Sequence, residues 1–265
     1  MTNPLFLIDQ TNDDTPMNSD GLHIGWHLTL PPAVRRHALQ SMRLRDGDEL
    51  QLSNGKGLRI HAQVCDENNG EVRVTSFETE DLPLVRLQLV QALAKNGHDE
   101  QAIDVATQIG VDSVVPWQAD RSIARWKAGR TDRKWQAVLH AATEQSRRAW
   151  EPQLEDCHTS KQLAALCRTI TDEGGLMVVL HQDATATWSG IEQQAQKVLN
   201  RAVRDERPRT ISVVVGPEGG IGDQEIEMFK EAGAQVALLG HNILRASSAG
   251  PVALSLLSRT LGRIL

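Results

Sequence analysis

Val213-Val-Val-Gly-Pro-Glu-Gly-Gly-Ile-Gly-Asp-Gln-Glu-Ile-Glu-Met-Phe229, read together with Leu239-Gly-His-Asn-Ile-Leu-Arg-Ala-Ser-Ser-Ala249, decides the fold of this chain. Each half reads as a strand running into a turn and then a helix. Two ligand-facing loops therefore stand side by side at the ends of neighbouring strands, where open α/β sheets bind cofactors. The Gly216-Pro217 step after the apolar run 211–215 fixes the exit from the strand, and the paired glycines 219 and 220 let a ligand approach the backbone with no Cβ in the way. Glycines at 216, 219, 220 and 222 match neither the G-x-G-x-x-G dinucleotide pattern nor the P-loop. Asp223 and Glu225 open the next helix, where carboxylates suit the positive end of its dipole. Such a tip repels an anion and suits a ligand with a positive centre.

At these residues the chain resembles the bacterial 16S ribosomal RNA (uracil-N3) methyltransferases of the trefoil-knotted SPOUT class. Gly216-Pro-Glu-Gly-Gly220 is similar to that family's signature loop, and Leu239-Gly240 with Ile243-Leu-Arg245 to its second loop. Gly110-Val111, Pro116 and Arg121-Ser122 stand where the family has "ELGV … P … ERS", and Ala142-Thr-Glu-Gln-Ser-Arg-Arg148 with Pro152 resembles its "EAAEQSGR … P" helix. Their joint occurrence in this order carries the resemblance over most of the chain. The departures are Ser247, where many members have Glu, and Val105 and Gln108, where they have Lys and Glu.

The resemblance implies an α/β fold: a knotted parallel-sheet methyltransferase domain over 83–265, behind a small PUA-like RNA-binding β-barrel domain over 1–82. Sequence physics alone predicts an ordinary doubly wound sheet, because threaded chains are nearly absent from proteins. The resemblance further implies S-adenosylmethionine as cofactor, held by His181, Val215, Gly216, Pro217, Glu218, Gly219, Gly220, Leu239, Gly240, Ile243, Leu244 and Ala249. The implied substrate is a uridine in small ribosomal subunit RNA, and the implied assembly is a homodimer.

The chemistry points to one residue. Methyl transfer from a sulfonium is an in-line displacement, so the protein supplies positioning and needs no covalent intermediate. Uracil N3 must lose its proton, and charge develops on the neighbouring carbonyl oxygens. A fixed guanidinium stabilises that charge, and Arg245 at the mouth of the second loop is the candidate catalytic residue. His181 is either a general base or a hydrogen-bonded wall residue. C5-methylating chemistry through cysteine is disfavoured, because no cysteine lies in these loops.

Length and composition bound the rest. With 265 residues, 40% of them hydrophobic, the chain suits one large or two modest domains. No apolar run approaches the roughly 18 residues of a membrane span, and no basic segment followed by an apolar one opens the chain, so a cytoplasmic protein is expected. Cys65, Cys157 and Cys167 read as reduced thiols, with no metal expected.

Residues 1–82 hold 13 acidic and 7 basic side chains, whereas 83–265 balance at 21 each. A nonspecific nucleic-acid binder is usually basic overall. Yet 121–150 concentrate Arg121, Arg125, Lys127, Arg130, Arg133, Lys134, Arg147 and Arg148 against Asp132 and Glu144, with Trp126, Trp135 and Trp150 interleaved. Aromatics beside arginines are surfaces on which unstacked bases sit. Arg35, Arg36, Arg121, Arg125, Arg130 and Arg148 are therefore the RNA-binding candidates. The alternative is a solvated helix face whose tryptophans are core.

Along the chain, 48–53, 58–66 and 71–77 alternate like strands around the hairpin turns Asn54-Gly55 and Asn69-Gly70. Pro31-Pro32 opens a helix expected to reach about Arg45, and the polar segment 9–19 reads as a loop. After a composition shift near 81–84, strands near 86–93, 113–117, 176–181, 210–216 and 236–239 alternate with helices near 98–109, 131–149, 190–204, 223–232 and 250–264. That alternation predicts a parallel sheet covered on both faces. Two other classes remain open: a ribose 2′-O-methyltransferase of the same knotted class, and a noncatalytic RNA-binding protein. A nicotinamide dehydrogenase is a weaker third.

Overall fold

The computed structural model describes residues 3–8 and 22–264, so the segment 9–19 lies outside the described residues. The chain divides into two compact units, one formed by Met1–Leu82 with His140–Glu151 and the other by Pro83–Leu139 with Pro152–Leu265.

The first unit is built on five strands: β1 (Leu5–Leu7), β2 (His27–Thr29), β3 (Glu49–Ser53), β4 (Leu58–Asp66) and β5 (Glu71–Thr79). They pair in the order β1-β3-β4-β5-β2, so the sheet is a half-barrel with β1 and β2 at its edges, in keeping with the small PUA-like domain expected here. Strict alternation on β4 sends Leu58, Ile60, Ala62 and Val64 inward, where they meet Leu50, Leu52, Val72 and Val74. The helix after Pro31 is shorter than expected. α1 (Pro32–Arg35) passes into a π-helical stretch Arg36–Ser41 and stops there, and Arg43 has a left-handed φ of 61°. Arg43 and Arg45 are thus off the helix.

The contiguous ranges 1–82 and 83–265 need one correction, because His140–Glu151 groups with the first unit. Specific hydrogen bonds hold it there. The Leu7 N–H donates to Glu144 Oε1 at 2.9 Å, the Ser53 hydroxyl to the Ala149 carbonyl at 2.9 Å and Arg59 Nη1 to the Arg147 carbonyl at 3.0 Å.

The second unit carries eight strands: β6 (Val85–Ala92), β7 (Ser113–Gln118), β8 (Gln153–Leu154), β9 (His158–Thr159), β10 (Leu176–Leu180), β11 (Ala186–Thr187), β12 (Arg209–Val215) and β13 (Gln235–Leu238). Their order is β11-β13-β10-β12-β6-β7-β8, with β9 also on β7, and every pair is parallel. On β12, Ile211, Val213 and Val215 enter one core and Val214 the other, so both faces are buried; Ser212 is the polar exception, and its hydroxyl donates to Gln88 Oε1 at 3.0 Å. Helices α2 (His98–Ile109), α3 (Thr131–Ser146), α4 (Ser160–Asp172), α5 (Trp188–Asp205), α6 (Asp223–Glu231) and α7 (Ala246–Thr260) complete the chain.

Helix α4 falls where no helix was expected, although a capping box is present in Thr159-Ser-Lys-Gln162, where Thr159 and Gln162 bond side chain to backbone reciprocally. The two-residue strands β8, β9 and β11 are too short to show a period. Helix α3 ends at Ser146, where Arg147 turns left-handed at φ 56°. Helix α7 begins at Ala246 and not at Gly250; Pro251 sits inside it, whereas a helix-opening proline would mark its start.

Candidate active site

The two signature loops do not leave adjacent strands. β10 lies between β12 and β13, so three strand ends line up and His181, just past β10, stands between the loops. Together they wall a cleft of about 1040 Å³, completed by His98 and Arg121. All thirteen residues expected to hold the cofactor or act on the substrate, from His181 through Val215–Gly220 to Leu239, Gly240, Ile243, Leu244, Arg245 and Ala249, line this one cleft.

The first loop is shaped from within. The Gly220 N–H donates to the Pro217 carbonyl at 2.9 Å, closing a turn that leaves Gly220 at φ +73°. A Cβ on Gly216 would stand 2.5 Å from Ile221 Cγ1, so the strand exit is packed to its limit. Neighbouring segments fasten the loop: the Lys95 N–H donates to Glu218 Oε1 at 3.0 Å, and Arg121 Nη1 to the Gly219 carbonyl at 3.3 Å. Glu225 is more than a dipole partner. It is buried, and its carboxylate accepts from the Asp120 N–H at 3.0 Å, the Ser160 hydroxyl at 2.5 Å and the Gly222 N–H at 3.0 Å.

In the second loop, Arg245 caps α7 with its carbonyl, which accepts the Ser248 and Ala249 N–H groups at 2.9 and 3.0 Å. Its side chain is exposed at the cleft, as are Ile243 and Leu244, while Ser247 is buried in the first helical turn. His181 Nδ1 lies 3.3 Å from the Asp183 N–H, which holds the imidazole against the segment that follows β10. No cysteine lines the cleft. Burial pushes the Cys157 thiol up to about 11, against a weaker opposing backbone hydrogen bond from Gln118, and also raises Cys167. Neither is poised as a nucleophile.

The RNA candidates divide between the two units. Arg121 belongs to the cleft, Arg125 and Arg130 are exposed in the second unit, and Arg148 groups with the first unit. Arg36 is exposed, whereas Arg35 bonds the Asn68 carbonyl at the turn between β4 and β5. The tryptophans follow the alternative reading, in which they are packed and not presented to bases. Trp135 is fully buried, Trp126 packs edge-on against it at 5.5 Å, and Trp150 gives its indole N–H to the Glu80 carbonyl at 2.7 Å. Interleaved charges reflect a helix with one apolar face and give no stacking platform at Trp135.

Sequence reasoning did not name His98, Gln182, His241 or Asn242 among the lining residues, nor Lys95 as an anchor of the glycine loop. The signal was available for Lys95. Residues 94–97 connect a predicted strand to a predicted helix at the carboxyl end of β6, beside the end of β12 from which the first signature loop leaves, and Asn96 and Gly97 both adopt positive φ there.

Residues 80–258 match the family model described as RNA methyltransferase domain, and residues 30–75 the one described as RNA methyltransferase PUA domain. The ribosomal RNA small subunit methyltransferase E of Mycobacterium bovis is 34% identical over 223 residues, covering 82% of this chain and 80% of that protein. Its namesake in Bacillus subtilis is 25% identical over 231 residues, covering 84% and 86%. Among solved structures, a ribosomal RNA small subunit methyltransferase E from Neisseria gonorrhoeae bound to S-adenosyl methionine aligns with a TM-score of 0.78 at 23% identity, covering 97% of this chain and 98% of that one. A methyltransferase of Legionella pneumophila in complex with the same cofactor gives 0.75 at 22% identity, covering 98% of each. These structural likenesses are likenesses of fold.

Proposed function

The chain belongs to the RNA methyltransferase family that includes the ribosomal RNA small subunit methyltransferases E, and from that premise we propose how its own residues work. It is an S-adenosylmethionine-dependent ribosomal RNA methyltransferase acting on small-subunit RNA, and the acceptor is N3 of a uridine. The observation that carries this reading is the convergence of three strand ends on one cleft that Arg245, exposed at the start of α7, faces from the second loop, while the cleft's other arginine, Arg121, is bonded to the Gly219 carbonyl.

The cleft suits the cofactor. Its volume is at the top of the range for cofactor sites, and Gly219, Gly220 and Gly240 offer exposed backbone to a nucleoside. When bound, S-adenosylmethionine supplies an electrophilic methyl on a sulfonium. Asp183, Glu218 and Asp223 line the cleft and favour a positive centre. Arg245 stabilises the charge that develops on the uracil carbonyl oxygens as N3 loses its proton, and His181 holds the wall between the loops.

Arg125 and Arg130 in the second unit, with Arg36 and Arg148 in the first, contact RNA phosphate, and the half-barrel serves as the PUA-like RNA-binding domain. Exposed Ile243 and Val252 support a homodimer formed near the second loop. The C-terminal segment that follows β13 forms the trefoil knot. No helix of the described residues is long and apolar enough to cross a membrane, and the protein works in the cytoplasm on ribosomal particles.

The test is methyl transfer from labelled S-adenosylmethionine to purified small or large subunits lacking the modification. The reading expects label in the small-subunit RNA alone. Label in the large subunit, or none in either, would overturn it.

A further inference from the structure

The half-barrel brings His27 to two side chains that face it across the β4–β5 hairpin. His27 stands on the edge strand β2, Cys65 near the end of β4 and Glu71 at the start of β5. His27 Nδ1 lies 3.7 Å from Cys65 Sγ and 3.7 Å from Glu71 Oε2. One donor atom from each residue falls within 4.8 Å of the other two. The cause is local: β4 and β5 change register between Val64 and Asp66, which seats Cys65 in an irregularity opposite the start of β5.

An exposed His–Glu pair stabilises a fold by little, so ion pairing alone gives no reason for a thiol to join it. A metal ion does. Tetrahedral zinc, with bonds of about 2.3 Å to sulfur and about 2.0–2.2 Å to nitrogen or oxygen, needs donors roughly 3.3–3.7 Å apart, which small side-chain rotations achieve here. Imidazole, thiolate and carboxylate form a mixed set that zinc accepts and that magnesium and calcium do not favour. The charged groups acting on Cys65 are Glu71, Asp46 and Asp66, with Arg73 the one cation among them, so the surroundings favour a positive ion.

We propose that His27, Cys65 and Glu71 form a zinc-binding site that fastens the three-residue edge strand β2 to β4 and β5, with the fourth position open to water. Binding exchanges the thiol proton for the ion: Cys–SH and Zn²⁺ give Cys–S⁻–Zn²⁺ and a released H⁺. Sequence spacing could not show this, because the strands bring the donors together.

Full-length protein, freed of any affinity tag, stripped with a chelator and kept reduced with a phosphine, is titrated with Co²⁺ and then Zn²⁺. The proposal expects one Co²⁺ per chain with a thiolate-to-cobalt charge-transfer band, displaced by one Zn²⁺. Cys65→Ser should abolish the band, and His27→Ala should weaken zinc binding by at least about 100-fold, more than the loss of a supporting partner costs. Cys157→Ser should change neither. As a readout free of any variant, Zn²⁺ should protect Cys65 of the unaltered protein from alkylation. Absence of the band, zinc bound equally well by Cys65→Ser, or alkylation indifferent to zinc would each overturn the site.

Discussion

The backbone N–H of Lys95 donates to Glu218 Oε1 at 3.0 Å, tying the loop after β6 to the glycine loop after β12. Lys95 contributes here through its main chain, so a change of its side chain should matter less than a change of Glu218. We expect Glu218→Ala to weaken S-adenosylmethionine binding about 5-fold, the effect of losing a modest, partly exposed hydrogen bond of about 1 kcal/mol. Glu218→Gln, which keeps an acceptor, should stay closer to the parent. Calorimetry measures both; equal affinities for the parent and the alanine variant would show that this tether does not shape the pocket.

Gly220 adopts φ +73°, and a Cβ there would meet nothing closer than Arg121 Nη1 at 3.8 Å. The obstacle to a side chain is therefore backbone strain, with space to spare. Gly220→Val should abolish cofactor binding by forcing the loop out of its turn, whereas Gly220→Asn, which tolerates the left-handed region, should retain it. Circular dichroism should show both variants folded. Binding by the valine variant at parental affinity would place the cofactor away from this loop.

Arg245 is exposed at the cleft, and the role proposed for it is to stabilise charge that appears only during transfer. Arg245→Ala should lower single-turnover methylation about 10²- to 10³-fold while cofactor affinity changes little. Ser247 offers the contrast. It is buried in the first turn of α7, where the helix dipole favours a carboxylate, and Ser247→Glu restores the commoner family residue. That variant should be at least as active as the parent. Full activity in Arg245→Ala would send the search for a charge stabiliser to His181 or a partner subunit.

The sheet was legible because burial on both faces leaves apolar runs such as 211–215 and 176–180 that no helix or half-exposed strand needs. The lining of the cleft was legible because it comes from two short loops in one stretch of chain. What escaped was tertiary. Only the strand order reveals that β10 divides the two loops and sets His181 between them. Only packing reveals that Trp135, flanked by Lys134 and Gln136, points into the core. The grouping of His140–Glu151 with the first unit depends on hydrogen bonds to Leu7, Ser53 and Arg59, which no local pattern encodes. Helix α4 is different, since its Thr159 and Gln162 cap was readable and was passed over.

Binding and stability separate within the basic segment. If Arg125 and Arg130 contact phosphates, the double variant Arg125→Ala, Arg130→Ala should reduce the salt slope of RNA binding by about 0.7 to 0.9 for each lost cation. Trp135→Ala should act on the fold instead, destabilising the second unit by about 3–5 kcal/mol through a core cavity. Filter binding across a salt series and thermal unfolding read the two effects independently. An unchanged slope would make the arginines a solvated surface.

The central claim is that this cleft directs a methyl group to N3 of a uridine in small-subunit RNA. Small subunits lacking the modification are incubated with the protein and isotopically labelled S-adenosylmethionine, the RNA is digested to nucleosides, and the labelled nucleoside is identified by mass spectrometry. The account predicts 3-methyluridine at one position, with the yield falling about 10²- to 10³-fold in Arg245→Ala. Label on a ribose 2′-oxygen, on carbon 5 of the base, or on no nucleoside would contradict it.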